Sequence, residues 1–128
     1  MSYHISRVVS GSFEDAIGRV TTALKAEGFG ILTEIDVQET LKKKLGVTFR
    51  KYRILGACNP PLAFKALQAE DKIGVMLPCN VIVQERADGT VEIAAVDPLV
   101  AMQAVGNAAL AEVAADVHAR LQRVVAAA

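Results

Sequence analysis

The sequence predicts an α+β domain: an antiparallel or mixed β-sheet with helices packed on one face. Two observations carry this. Stretches with a two-residue apolar period alternate with stretches of 3.6-residue period, in the order β-α-β-α-β-α-β-β-α-α. Late in the chain, residues 80–86 and 90–96 form two alternating runs joined by Ala87-Asp88-Gly89, and Asp-Gly between such runs signals an antiparallel hairpin. The β-α-β-β-α-β part of this order allows a ferredoxin-like core. The 128 residues are enough for a single domain, 1–128, around one apolar core, and no linker, repeat or low-complexity tract divides them.

Each element has a local cause. Residues 3–9 alternate as a first strand and Ser10-Gly11-Ser12 turns the chain. Ser12 is placed to cap a helix, with Glu14 and Asp15 in its first turn, where the helix dipole favours acids. Phe13, Ile17, Val20 and Leu24 form its apolar stripe, and Gly28 stands where a left-handed closing residue belongs. Residues 30–36 return as a strand. Asp36 and Glu39 have the spacing of a capping box, opening a short helix through Leu41 and Leu45 that Gly46 ends.

The central stretch joins a strand at 52–57 to a helix that begins at Asn59-Pro60. Asn59 is a strong N-cap, and Pro60 suits the first helical position because its missing N–H has no partner there. Leu62, Ala63, Ala66 and Leu67 give the helical stripe; Pro78 breaks the next apolar run and Cys79 opens a new strand. On that strand Asn80 and Gln84 share one face, Cys79, Val81, Val83 and Glu85 the other. The Asp88-Gly89 hairpin is expected as a type I′ turn. Asp97-Pro98 repeats the cap-plus-proline device for a short helix that Gly106 ends, and Asn107 is expected to cap the final helix, whose stripe runs through Leu110, Val113, Val117, Leu121 and Val124. Alanines on its flanks leave it thin enough for close approach.

Both cysteines of the chain, Cys58 and Cys79, lie in the central stretch, each followed by asparagine and each beside a proline-bearing turn. Gly56-Ala57-Cys58-Asn59-Pro60 with Met76-Leu77-Pro78-Cys79 resembles the family known as domain of unknown function 302. Upstream, Gly28-Phe29, Glu34-Ile35-Asp36 and Leu41-Lys42-Lys43 fit the same family. The resemblance runs from about Tyr3 to Leu121. It implies a small α+β domain that tends to pair as a homodimer, and it brings no settled activity and no catalytic residues.

Composition narrows the partners. Basic and acidic residues number 14 each, which argues against general electrostatic binding to nucleic acid or to an anionic membrane surface. No apolar run approaches the roughly 20 residues of a spanning helix. The opening Met-Ser-Tyr-His-Ile-Ser-Arg lacks the apolar segment and cleavage site of a signal peptide, so the cytoplasm is the expected compartment. Apolar residues make up 52% of the chain, an excess that a homodimer interface would absorb.

The motif places a candidate site at Cys58, Asn59, Pro78 and Cys79 without specifying a reaction. Just before a helix start, the Cys58 thiol would face unpaired N–H groups that favour the thiolate. The opposing reading is that free cysteines are small buried hydrophobes. A metal would need further ligands from His4, His118, Glu85 or Asp97, and no Cys-x-x-Cys or His-x-x-x-His spacing supplies them, so no metal is expected. His118 is expected at solvent or at an interface. Lys42, Lys43 and Lys44, with Arg53, form a weak candidate for anion binding beside the plainer reading of a solvated helix end. There is no phosphate loop or dinucleotide fingerprint, and the sequence names no cofactor. Three functions remain open: a homodimeric module binding a small molecule or serving as an accessory protein; thiol redox or sulfur handling by Cys58 and Cys79; and a purely structural or interaction module.

Overall fold

The computed structural model describes residues 2–128. Strands β1 (His4–Val9), β2 (Gly30–Asp36), β3 (Tyr52–Cys58), β4 (Cys79–Glu85) and β5 (Val91–Val96) form one sheet, and helices α1 (Phe13–Ala26), α2 (Val37–Leu45), α3 (Pro60–Ala69), α4 (Pro98–Gln103) and α5 (Ala111–Ala127) complete the domain. Of the antiparallel and mixed alternatives, the sheet is antiparallel throughout, in the order β1-β5-β4-β3-β2. Strands β2 to β5 are neighbours in chain order. The interleaving of two βαβ units that a ferredoxin-like core requires is therefore absent: only β1-α1-β2 is a split unit, with three strands between its two.

The core lies between one sheet face and the helices α1 and α5. Phe13, Ala16, Val20 and Leu24 of α1 are buried, as are Val117, Leu121 and Val124 of α5. They meet Leu55, Val81, Val83 and Ile93, which are fully buried on alternate strand positions. α2 buries none of its residues. Ser12 and Asp36 cap their helices as the spacing requires, accepting from the N–H groups of Asp15 and Glu39.

Two local expectations change. The β4-β5 hairpin is not type I′: no non-glycine residue among those described has positive φ. The Gly89 N–H bonds the Arg86 carbonyl at 2.9 Å, and Gly89 itself has φ 84°. This is a three-residue loop, a type I turn followed by one left-handed residue. Asn107 caps a short 3-10 turn, Ala108–Leu110, rather than α5 itself, which grows out of that turn. The Asn107 amide also donates to the Ala69 carbonyl and to Glu70, tying the start of the C-terminal helices to the end of α3.

Candidate functional site

The central motif folds as two antiparallel neighbours whose connecting segment returns to the same sheet end. Register pairs Ala57 with Cys79, so the chain leaves β3 at Cys58 and re-enters β4 beside it. Gly56 is set by contact. A β-carbon there would strike Thr33 Oγ1 and would lie 2.8 Å from Pro78 Cγ, so only glycine lets Pro78 fold over β3. The Leu77-Pro78 peptide is cis.

Asn59 is buried and both atoms of its side-chain amide are bonded. Its Oδ1 accepts from the Leu62 N–H at 3.4 Å, and its Nδ2 donates to the Glu27 carbonyl at 3.2 Å. The same carbonyl accepts from Arg120 at 2.9 Å. One asparagine thus starts α3 and ties it to the end of α1, while an arginine of α5 grips the same point. This cap also alters the chemistry expected for Cys58. Pro60 and Pro61 have no N–H, Leu62 is held by the Asn59 side chain, and the Ala63 N–H bonds the Asn59 carbonyl at 2.8 Å. The unpaired donors expected to favour a thiolate are missing from this helix start.

Cys58, Asn59, Pro78 and Cys79 all line one cavity of about 260 Å³. Its other walls are apolar and come from four further parts of the fold: Phe29 and Leu32 around the start of β2, Leu62 and Ala66 of α3, Met102 of α4, and Val113 and Val117 of α5. Leu32 is largely exposed and rims the opening. A larger depression beside α1, near Glu14, Arg19 and Ala127, is shallow and polar-edged, unlike this recess between packed elements. The cavity suits an apolar guest, because its walls are almost all apolar and its side-chain polar groups are the Asn59 amide, bonded once at each atom, and the Cys58 and Cys79 thiols.

Both cysteines are free; they lie on adjacent strands, where Cys79 stands opposite Ala57 and Cys58 opposite Gly30. Cys79 is buried with the core, and that burial pushes its thiol up to about 11, with the nearby Cys58 adding to the rise. Cys58 is part-exposed. The pair is therefore asymmetric: one thiol reaches solvent, and the other is held protonated.

The remaining candidates do not converge. Arg53 is committed to Glu34 at 2.7 Å and to Asp36 at 3.6 Å, and Lys43 to Glu39 at 2.6 Å. Lys42 and Lys44 lie exposed on α2. His118 is partly buried, with Nδ1 2.9 Å from Asp97 Oδ1, while Asp97 also caps α4 through the Leu99 N–H. Among the described residues no three His, Cys, Asp or Glu side chains form a metal-holding group. Of the other cavity residues, the sequence marks Leu77 only as part of the motif, Val113 and Val117 only as the stripe of the last helix, and Leu32 and Met102 not at all, because periodicity does not separate a side chain that lines a void from one that fills it.

A family model described as Domain of unknown function DUF302 matches residues 5–128. No curated protein matches the chain. A crystal structure of an uncharacterized conserved protein DUF302 from Bacillus stearothermophilus is 33% identical and superposes with a TM-score of 0.92 over 98% of each chain. The fold is thus that of a solved protein, and the chain is a member of the DUF302 family.

Proposed function

We propose that the protein binds a small, largely apolar molecule in the cavity at Cys58 and Pro78, as an accessory or carrier module that works as a homodimer. The observation that carries the reading is the convergence of both halves of the motif on one apolar recess of about 260 Å³. A dry cavity of about 150 Å³ holds benzene, so this one suits a guest of about ten non-hydrogen atoms, a bicyclic aromatic or a short acyl chain. Burying about 250 Å² of apolar guest surface at about 25 cal/mol per Å² supplies about 6 kcal/mol before the costs of binding, so affinities between micromolar and millimolar are expected. The guest's polar end, where it has one, sits at the Cys58 side.

A dithiol redox role draws less support. It would need Cys79 as a resolving thiolate, and burial opposes that charge. Two free thiols do suit a reducing compartment such as the cytoplasm, and no helix among the described residues is long and apolar enough to cross a membrane.

A thermal-shift series with indole and octanoate at millimolar concentration tests the reading. Both should raise Tm saturably. Ala66→Leu, which fills the recess from α3, should abolish the shift while leaving the protein folded. Equal shifts in wild type and Ala66→Leu would refute the site.

A further inference from the structure

Beside the cavity lies a second recess, a groove of about 520 Å³ between α4 and the start of α5. Among the described residues one side chain, Met102, lines both spaces. Consecutive residues of α5 divide between them, Val113 lining the cavity and Ala114 the groove. Leu110 and Ala114 are buried and floor the groove, and the small Ala111 side chain leaves it room. Its polar side chains are Gln103 and Asn107. The Asn107 amide is already bonded, donating to the Ala69 carbonyl and accepting from the Ala109 N–H, each at 2.9 Å. The groove thus continues the apolar character of the cavity, with a methionine as the partition.

We infer that the guest is a straight-chain acyl compound longer than the cavity, whose tail passes Met102 and lies in the groove between α4 and α5. The inference rests on the cavity reading above and chooses between its two guest classes. Three observations carry it. The first is direction. The cavity opens at Leu32, near Cys58, on the β2-β3 side of the sheet, whereas Met102 belongs to α4, which follows β5. A chain with its polar end at Cys58 therefore meets Met102 at the far wall. The second is what can move. The backbone around Met102 is pinned on both sides: Asp97 caps the start of α4 and lies 2.9 Å from His118 of α5, and past the helix Asn107 holds Ala69 and Glu70 at the end of α3. Met102 itself is half-buried, unbranched and has three rotatable bonds, so the partition swings while its frame stays. The third is shape and size. A passage one side chain wide admits a polymethylene chain and stops a fused ring. The cavity of about 260 Å³ takes about ten non-hydrogen atoms, the size of octanoate, and the groove of about 520 Å³ has room for the further methylenes of a longer acid.

Titration calorimetry with octanoate, decanoate and dodecanoate, each below its micelle concentration, tests the passage, with circular dichroism to verify folding and methyl NMR to locate the tail. Wild type should bind dodecanoate about tenfold more tightly than octanoate, because each methylene entering a half-open groove gains about half of what full burial supplies. Both acids should shift the methyl groups of Leu62 and Leu77, and dodecanoate alone should also shift those of Leu99 and Leu110. Ala111→Leu fills the groove from an exposed position of α5 and should bring the dodecanoate-to-octanoate ratio to within about twofold of one. Met102→Phe, which sets a stiff ring in the partition, should do the same. A wild-type ratio near one, no shift at Leu99 and Leu110, or a ratio that either variant leaves unchanged would overturn the passage and leave the cavity reading in place. Dodecanoate binding that survives Ala66→Leu would put the chain in the groove alone and overturn it as well. Failure of octanoate to bind at all would overturn the cavity reading and this inference together.

Discussion

The two ends of β3 invite comparison because the sequence marks both. At one end, Gly56, Cys58, Asn59 and the returning Pro78 and Cys79 close on a cavity. At the other, the basic cluster of Lys42 to Lys44 with Arg53 disperses into separate ion pairs. The difference is physical. Glycine, proline and a capping asparagine restrict backbone geometry, so their spacing dictates where chain segments meet. A lysine restricts nothing; its charge goes to whichever carboxylate the fold brings near, and a solvated ammonium needs no partner. Motifs of the first kind locate sites, whereas charge runs of the second kind do not.

The comparison breaks most readily at Gly56. Gly56→Ala should cost about 3 kcal/mol, because the new methyl group meets Thr33 and Pro78 with no room to yield. Urea denaturation measures it, and an unchanged midpoint would mean that Pro78 does not lie over β3. Next is a pH effect at Cys79. Its folded value of about 11 lies above that of an unfolded thiol near 8.5, so the folded state holds the proton more tightly. The stability this gives is complete below about pH 8 and is lost as pH rises through 9 to 11, by on the order of 3 kcal/mol. Denaturation midpoints across that range should fall more steeply for wild type than for Cys79→Ala; parallel curves would place Cys79 in contact with water.

Asn59→Ala should cost about 2 kcal/mol by removing the cap of α3 and the bond to the Glu27 carbonyl, and Asn59→Ser should recover about half by restoring the cap alone. Equal losses would assign the whole effect to the Glu27 contact. Gly89→Val should cost about 1 kcal/mol or more, since valine is strained at φ 84°. At the other end of β3, replacing Lys42 and Lys44 with glutamine should move stability by less than about 0.5 kcal/mol. A larger loss would mean that the basic cluster holds something its ion pairs do not reveal.

Much of the fold was legible in the sequence because its punctuation is local. Ser12, Asp36, Asn59 and Asp97 cap where their spacing places them. The four motif residues were legible as a meeting point for the same reason. Strand order was not: whether β1 joins β5 depends on long-range pairing that no local pattern encodes. The hairpin type was missed because Asp-Gly serves two turn geometries, and the register of Arg86 with Thr90 chooses between them. The His118-Asp97 contact and the apolar walls from α4 and α5 emerge only once the last helices pack over the end of the sheet.

The most direct test of the central claim is a methyl NMR titration of the folded protein with indole. The account predicts saturable shifts confined to the cavity lining and largest at Leu62, Leu77, Met102, Val113 and Val117, with the same titration silent in Ala66→Leu. Shifts scattered over the surface, or none at these five residues up to the solubility of indole, would contradict it and leave the motif as a packing device around two turns.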